Sequence, residues 1–278
     1  MKIPGKVFKR NWRNYFLFCC AFFYLVPSYC LSICSWNIEN IGQSKSESEI
    51  QFIAAVLKKF DVVAIQEVVA GDGGARAIAL LSDALNRTGN KWDYCVSDPT
   101  TGSSYKTERY AFLWKTAQVK IKGKAWLEQR YKLEIDREPY MATFVYNLHE
   151  FTLVNFHAIT KSKQPETEIK YFKFLPTEYP SLNLIFCGDF NCPQSHSVFN
   201  PLKAMGFAAA LTGQKTSLKQ QCIGTNCLAS EYDNFFYKKD LYIEIRAGII
   251  AFYKSFNDLK EARKISDHVP IFLELDWK

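Results

Sequence analysis

Residues 184–191 read Leu-Ile-Phe-Cys-Gly-Asp-Phe-Asn, an apolar run that stops at a glycine and continues with two polar side chains. The apolar run is typical of a buried β-strand. Gly188 lets the backbone turn sharply, and Asp189 and Asn191, two residues apart, then project to the same side. The segment therefore predicts a core strand that delivers two polar groups to the edge of a sheet.

Four more apolar runs stop or start at polar residues of the same kind. They place Asn37 after Trp36, Glu67 after Ile65-Gln66, His157 after Asn155-Phe156, and Asp267-His268 before Val269-Pro270. A single asparagine, glutamate or histidine at a strand end is most often a turn or structural residue. Five such points spread along the whole chain indicate one shared site.

The residue types in this set agree with one chemistry. The oxygen ligands Asn37, Glu67 and Asp267 suit Mg²⁺ or Mn²⁺. Two histidines suit proton transfer or stabilisation of a phosphate oxygen near neutral pH. Asp189 suits the orientation or deprotonation of a water molecule, so the set predicts hydrolysis of a phosphodiester.

The remaining pattern predicts a β-α-β start followed by many strands. Ser46 and Glu49 form a capping-box pattern before a helix through Leu57. Strands are expected at 31–36, 61–66, 92–97, 110–114, 141–147, 151–157, 183–188, 233–237, 243–247 and 270–275, and helices at 75–87 and 166–175, the latter ending before Pro176. This order favours a mixed α/β sandwich. Since no Pro/Gly/Ser-rich linker divides residues 31–278, we expect a single domain there.

The first thirty residues have the order of a secretory leader. A basic start without acidic residues precedes an uncharged apolar run from Tyr15 to Val26, closed by Pro27 and Ser28. Twelve apolar residues fall short of the roughly 20 that span a bilayer. We expect residues 1–30 to be removed and the protein to be secreted or periplasmic, with an uncleaved membrane anchor as the alternative.

The charge balance alone identifies no partner. The whole chain has a net charge of +7, but the leader segment holds five basic residues and no acidic one, so the rest is only weakly basic. A charge that small does not point to a polyanion. Any role for DNA must rest on where the charges lie.

Six of the nine cysteines follow the leader. Cys34 and Cys187 lie in apolar runs and are expected to be buried thiols. Cys192, Cys222 and Cys227 lie in loop-like segments and are the candidates for disulfide bonds in an exported protein. No cysteine and histidine spacing suggests zinc.

Together these segments resemble the endonuclease/exonuclease/phosphatase superfamily, and within it the deoxyribonuclease I branch. The superfamily is marked by Gly188-Asp189-Phe190-Asn191 and Ser266-Asp267-His268. The branch is indicated by Ser104-Tyr105-Lys106 with Glu108-Arg109-Tyr110, and by Arg137-Glu138-Pro139. The resemblance implies a four-layer α/β sandwich, with two packed mixed β-sheets flanked by helices, and a metal-dependent endodeoxyribonuclease.

The resemblance also implies a role for each residue of the site. Glu67, helped by Asn37 and Asp267, would bind Mg²⁺ or Mn²⁺. His157, oriented by Glu108, and His268, oriented by Asp233, would act on the two sides of the scissile phosphate. Asp189 would position the attacking water, and Asn191 would bind the phosphate. Tyr105 and Arg137 would contact the DNA. We expect a monomer without a protein partner.

The chain departs from the deoxyribonuclease pattern at several points. Glu39 stands where the branch has one arginine, and Val68-Val69-Ala70 covers the place of another, which weakens the case for efficient cutting of duplex DNA. Residues 212–227 contain no acidic residue, so a structural calcium site is not expected there. Cys192 and Cys227 fall near the positions of the family's long-range disulfide, but a local bridge between Cys222 and Cys227 is an equal alternative.

Two other functions remain open at this stage. Another branch of the superfamily, a sphingomyelinase-like lipid hydrolase or an inositol-phosphate phosphatase, would keep the same core residues. The other is an inactive copy of the fold that acts as a binding or toxin-complex subunit, against which the intact set Glu67, His157, Asp189 and His268 argues, since a pure binder has no need for both histidines.

Overall fold

The computed structural model describes residue 1 and residues 30–102 and 107–278. The expected leader and Tyr105 therefore lie outside the described residues. Within those ranges, no helix has the length and apolar character needed to cross a membrane.

The elements alternate along the chain as a β-α-β start followed mainly by strands. The strands are β1 (Leu31–Ile41), β2 (Val62–Val69), β3 (Trp92–Val96), β4 (Glu108–Lys115), β5 (Val119–Leu127), β6 (Tyr140–Tyr146), β7 (His149–His157), β8 (Leu184–Asp189), β9 (Phe207–Ala209), β10 (Leu218–Ile223), β11 (Asn226–Leu228), β12 (Asp233–Lys238), β13 (Tyr242–Ile249) and β14 (Ile271–Trp277). The α-helices are α1 (Glu47–Leu57), α2 (Asp72–Asn86), α3 (Glu166–Ile169), α4 (Leu175–Glu178), α5 (Asn200–Ala204) and α6 (Leu259–Ile265). Short 3₁₀ turns cover Lys161–Lys163, Phe172–Phe174, Ser197–Phe199 and Phe252–Ser255.

Two six-stranded sheets and one hairpin contain these strands. The first sheet has the order β13-β14-β1-β2-β4-β3, and the second has the order β5-β6-β7-β8-β12-β9. In each sheet one central pair is parallel, β1 with β2 and β7 with β8, and the other neighbours are antiparallel. Strands β10 and β11 form a separate two-stranded hairpin.

Three apolar clusters separate four layers. One cluster packs α1, α2 and α6 against the outer face of the first sheet, around Ile53, Leu81 and Ile265. The second fills the space between the two sheets. The third packs the short helices after β7 and β8 against the outer face of the second sheet, around Phe172 and Phe199. The expected four-layer α/β sandwich is thus confirmed.

Local sequence explains where the first two helices begin. The capping box is present at α1, since Ser46 accepts from the backbone of Glu49 and the Glu49 carboxylate accepts from the backbone of Ser46. Helix α2 begins at Asp72, three residues before the expected start at position 75. A Cβ at Gly74 would lie 1.9 Å from the carbonyl oxygen of Val69, so glycine allows the first turn of α2 to pack on the end of β2.

The expectation of one helix over 166–175 is wrong. The segment is broken into α3, a 3₁₀ turn and α4, and Pro176 lies in the first turn of α4 instead of ending a helix. Proline is tolerated there because the first turn has no partner for its backbone N–H. Strands β5 and β9–β11 and helices α5 and α6 were not expected either.

The cysteines decide between the two disulfide alternatives. Cys222 and Cys227 are bonded to each other, and Cys192 is a free thiol, so the long-range pairing of Cys192 with Cys227 is wrong. Cys34 and Cys187 are buried free thiols, as expected.

Candidate active site

The second sheet places three of the site residues side by side. Asp189, the last residue of β8, lies opposite His157, the last residue of β7, and opposite Asp233, the first residue of β12. The parallel pairing of β7 with β8 makes both strands end at the same edge. Gly188 (φ 134°) precedes Asp189, and a Cβ there would lie 1.9 Å from the carbonyl oxygen of Phe156.

The first sheet contributes Asn37 and Glu67 at the same end of the molecule. The register between β2 and β4 shifts between Ile65 and Val68, and Glu67 lies in this bulge with φ 60°. A bulge re-aims a side chain, and a left-handed glutamate is uncommon enough to suggest a functional constraint. The Glu67 carboxylate accepts from Asn37 Nδ2 (2.9 Å) and from the backbone N–H of Asn40 (3.1 Å).

Asp189 joins the two halves of the site. Its Oδ2 accepts from Asn37 Nδ2 at 3.1 Å, which links the second sheet to the first. The same oxygen lies 3.5 Å from Nε2 of His157 and 3.6 Å from Nε2 of His268. The Asp189 carboxylate is therefore held between two imidazoles whose Nε2 atoms point toward it from different strands.

A second carboxylate lies behind each imidazole. His157 Nδ1 is 2.9 Å from Glu108 Oε2, and His268 Nδ1 is 2.7 Å from Asp233 Oδ2. Both pairings are those that the sequence led us to expect. Each carboxylate holds the proton on Nδ1 and directs Nε2 toward Asp189.

The buried charges shift one another's proton affinities. Burial would lower the pKa of His268, but Asp233 and Asp189 outweigh it and hold that pKa well above its usual value. Burial likewise opposes protonation of His157, and Glu108 raises its pKa in spite of this. Burial would raise the pKa of Asp189, but the imidazoles of His268 and His157 hold it below its usual value. Asp189 is therefore an anion near neutral pH.

The His268–Asp233 pair has one further partner. Burial raises the pKa of Asp233, yet its Oδ2 also accepts the hydroxyl hydrogen of Thr216 at 2.6 Å. Since hydrogen bonds to a carboxylate favour its charged form, we assign the shared proton to His268. Thr216 lies in a segment without a strand pattern, and for that reason sequence reasoning missed it.

The donor set around Glu67 fits a hard divalent cation. Asn37 Oδ1 is buried and has no hydrogen-bond partner, although the Glu67 carboxylate lies next to its amide. A buried carbonyl oxygen without a donor beside a carboxylate is the arrangement that Mg²⁺ or Mn²⁺ satisfies. Asp267 lines the same cavity, and its carboxylate lies 3.7 Å from Arg263 Nη2.

Asp189, Asp233 and His268 also bring three potential ligand atoms within 4.8 Å of one another. His268 Nδ1 and the Thr216 hydroxyl already donate to Asp233 Oδ2, so a cation bound through that oxygen would have to displace a proton, although Asp233 Oδ1 is buried without a hydrogen-bond partner. The Glu67 side, where no imidazole proton has to be displaced, is the better fit.

Two residues expected to contact the substrate, Arg137 and Asn191, use most of their hydrogen-bond donors on groups of the protein itself. Arg137 is buried; its Nη1 donates to Glu108 (3.2 Å), its Nε donates to the carbonyl of His157 (2.9 Å), and its Nη2 donates to the carbonyl of Ala158. Asn191 (φ 48°) donates through Nδ2 to the carbonyl of Ala158 at 3.1 Å. Both still line the cavity.

The site residues surround an open cavity of about 840 Å³. Its lining includes Glu67, Glu108, Arg137, His157, Asp189, Asn191, Asp267 and His268. Through the hydrogen bonds of Asn37 to Glu67 and Asp189, the structure brings together residues from positions 37 to 268, which was the geometric expectation from the sequence. Tyr232, which precedes Asp233, also lines the cavity, as do Lys219 and Arg263, which were not singled out by sequence.

Comparison with known proteins gives a consistent assignment. Residues 34–268 match the model of the Endonuclease/Exonuclease/phosphatase family. A deoxyribonuclease from Thioalkalivibrio sp. (strain K90mix) is 28% identical over 275 residues, covering 90% of this chain and 73% of that protein. Human deoxyribonuclease gamma is 26% identical over 281 residues, covering 88% of this chain and 86% of that protein. A solved endonuclease/exonuclease/phosphatase family protein from Bacteroides thetaiotaomicron has a TM-score of 0.65 at 19% identity, over 88% of this chain and 97% of that one.

Proposed function

Because the chain belongs to the Endonuclease/Exonuclease/phosphatase family, we propose that it is a divalent-metal-dependent deoxyribonuclease that hydrolyses phosphodiester bonds of DNA. The observation that carries this proposal is the pair of carboxylate-backed imidazoles whose Nε2 atoms flank Asp189. The deoxyribonuclease relatives support DNA as the substrate.

The residues divide the hydrolysis between them. Asp189, an anion in a buried setting, accepts a hydrogen from the attacking water and directs its oxygen toward phosphorus. As the new P–O bond forms and the bond to the leaving oxygen breaks, an imidazolium Nε2–H supplies the proton that the leaving oxygen needs. The other imidazole donates to a non-bridging oxygen, so His157 and His268 act on opposite sides of one phosphate.

Glu108 and Asp233 act through the imidazoles. A carboxylate behind Nδ1 fixes the tautomer and stabilises the imidazolium form. Arg137 then holds Glu108 and the end of β7 in place, and Asn191 lies where its remaining amide hydrogen could reach a phosphate oxygen.

The metal would be held by Glu67 and Asn37 Oδ1, with Asp267 nearby. When bound, the cation supplies positive charge that neutralises the non-bridging oxygens of the phosphate. We propose Mg²⁺, with Mn²⁺ as a substitute.

We further propose that residues 31–278 act as one catalytic domain outside the cytoplasm. The Cys222–Cys227 disulfide agrees with an oxidising compartment, and residues 1–30 would be the leader that sends the protein there. Detection of the processed protein in the medium or periplasm, with a mapped first residue, tests this part.

The test of activity uses supercoiled plasmid. The leader-free protein should nick it with Mg²⁺ and not with chelator. His157→Ala, His268→Ala and Asp189→Ala should each reduce turnover by about two orders of magnitude or more. The matched control is His149→Ala, at the opposite end of β7, which should nick at the normal rate.

Two results would contradict the proposal. Normal nicking by His268→Ala would remove the assigned mechanism. Hydrolysis of sphingomyelin or inositol phosphates by a wild-type protein that leaves DNA and RNA intact would move the chain to another branch of the family.

A further inference from the structure

A disulfide-closed hairpin projects beside the cavity and belongs to neither sheet. It consists of β10 and β11, tied together by the Cys222–Cys227 bond. Residues 220–226, its outer part, are all exposed. A closed, exposed hairpin next to a reaction site is well placed to touch a long substrate.

The base of the hairpin is fixed to the catalytic residues. The backbone N–H of Leu218 donates to the carbonyl of Asp267 at 2.6 Å, and Ser217 pairs with His268 in an isolated antiparallel bridge. Thr216 accepts from the backbone N–H of Val269 (2.8 Å) through its carbonyl and donates to Asp233 through its hydroxyl. The position of the hairpin is therefore coupled directly to that of His268.

This side of the cavity is basic. Lys219 and Arg263 line it, and residues 212–227 contain two lysines and no acidic residue. Arg263 Nη1 donates to the carbonyl of Leu218 at 3.0 Å, which places its guanidinium against β10. Asp267 offsets part of this charge, whereas Lys219 is half-exposed and available to a phosphate.

The opposite side has the reverse character. It is formed by the end of β2 and the residues after it, from Glu67 to Gly71, with Asp72 next in the chain. The stretch 67–72 contains two acidic residues and no lysine or arginine. Arg109 lies nearby, but its Nε and Nη1 donate to the carbonyls of Ala70 and Ser97.

The strand order keeps the two sides apart. In the first sheet β1 separates β14, which follows His268, from β2, which carries Glu67. The hairpin side is thus the His268 side, and the acidic side is the one toward Glu67 and His157. The charge of Arg137, deeper in the cavity, is matched by Glu108.

We propose that the β10–β11 hairpin is a strand-gripping arm that binds the backbone of single-stranded or locally unpaired DNA through Lys219, on the His268 side of the scissile phosphate. This inference rests on the proposed function and names the substrate class of the same site. A single DNA strand has one row of phosphates, so basic residues along one side of the cavity are enough to bind it. A duplex would bring the second row of phosphates toward the stretch 67–72, which supplies no lysine or arginine to bind them, and a cation held at Glu67 would be occupied by the scissile phosphate.

The test compares Lys219→Glu with the matched control Lys120→Glu, an exposed lysine on the edge strand β5. Cleavage of a fluorescent single-stranded oligonucleotide and of the same sequence as duplex is followed with Mg²⁺ across a series of NaCl concentrations. Wild type should cut the single strand faster. Lys219→Glu should raise KM for the single strand about tenfold. It should also reduce the steepness of log(1/KM) against log[NaCl] by the amount expected for the loss of about one phosphate contact.

A second variant tests the arm itself. The double change Cys222→Ser and Cys227→Ser opens the hairpin, and the single-strand KM should rise while the thermal unfolding midpoint of the domain shows that the fold persists. Equal KM and salt slope for Lys219→Glu and Lys120→Glu would overturn the arm. Faster cutting of the duplex by wild type would overturn the assignment of substrate class.

Failure of this inference is distinguishable from failure of the proposed function. Wild type is also given bis(p-nitrophenyl) phosphate, a small diester that is too short to reach the hairpin. If wild type hydrolyses neither this diester nor any DNA, the proposed function fails, and the arm with it. If it cuts DNA with no effect of Lys219→Glu, only the arm is refuted.

Discussion

Asp233→Asn separates the charge of the carboxylate behind His268 from its shape. Asp233 is buried, and its Oδ2 receives the hydrogens of both His268 Nδ1 (2.7 Å) and Thr216 Oγ1 (2.6 Å). An amide of the same size can keep one oxygen in that place, so the fold should persist. It cannot supply the negative charge that stabilises the imidazolium.

The magnitude follows from the loss of that charge. A charge-assisted hydrogen bond is roughly twice as strong as a neutral one, and loss of the carboxylate in comparable carboxylate–histidine pairs costs up to about 10⁴ in rate. We expect kcat to fall by about 10² to 10⁴, or about 3–5 kcal/mol of barrier. Since Asp233 holds the pKa of His268 above its usual value, the alkaline limb of kcat should also move to lower pH.

The assay is initial-rate cleavage of a saturating oligonucleotide from pH 5 to 10 in wild type, Asp233→Asn and the control Asp240→Asn. Asp240 is exposed and lies beyond the other end of β12. The control should match wild type in rate and in thermal midpoint, and Asp233→Asn should still unfold in one cooperative transition well above the assay temperature. If Asp233→Asn keeps kcat within about threefold of wild type, the carboxylate does not act through His268.

Arg137→Met should lower the thermal midpoint, because removing one partner of a buried ion pair costs about 3–5 kcal/mol, which is about 10 °C in a chain of this size. Arg137→Lys should not restore the midpoint, since lysine lacks the planar fork of the guanidinium. An unchanged melting curve for Arg137→Met would refute this role of Arg137. Glu67→Gln should raise the Mg²⁺ concentration for half-maximal activity about tenfold or more, measured by titration into chelator-treated protein, and an unaltered titration would remove Glu67 from the metal site. In chelator, the stability that the raised pKa of His268 confers is full below about pH 6.5 and is lost as pH rises through that pKa. The thermal midpoint of metal-free wild type should therefore fall as the pH rises above about 6.5, and His268→Gln should show a flatter curve.

The convergence of Asn37, Glu67, His157, Asp189 and His268 on one place could be predicted because each follows or precedes a buried apolar run. Asp189 and His157 end such runs, and the parallel pairing of β7 with β8 necessarily brings their ends together. The two strands of the disulfide-closed hairpin were missed because residues 218–228 are mostly exposed and show no alternation of apolar and polar residues that would mark a strand. The bulge at Glu67 was equally invisible, since a register shift depends on the partner strand.

Arg137 shows a different limit of sequence reasoning. Its position before Glu138-Pro139 was recognisable, but the pattern cannot distinguish an arginine that reaches solvent from one that bonds two backbone carbonyls and a buried carboxylate. The same holds for the break in the expected helix 166–175. There the buried Glu168 accepts the backbone N–H groups of Asp136 and Ile159, a tertiary demand that helical periodicity does not reveal.

The site is divided between two sheets, so its geometry depends on how one sheet is registered on the other. Beneath it, Gln66 Nε2 donates to Asn155 Oδ1 (2.5 Å) and to Ser35 Oγ (3.0 Å), and Asn155 Nδ2 donates to the carbonyl of Ile65 (3.0 Å). Apolar contacts between the sheets are non-directional, whereas these hydrogen bonds are satisfied in one register only. A slide at this point would leave buried amides unpaired, at about 1–3 kcal/mol each. Gln66 precedes Glu67, and Asn155 lies two residues before His157, so these hydrogen bonds fix the distance between the metal-binding side and the imidazole side of the site.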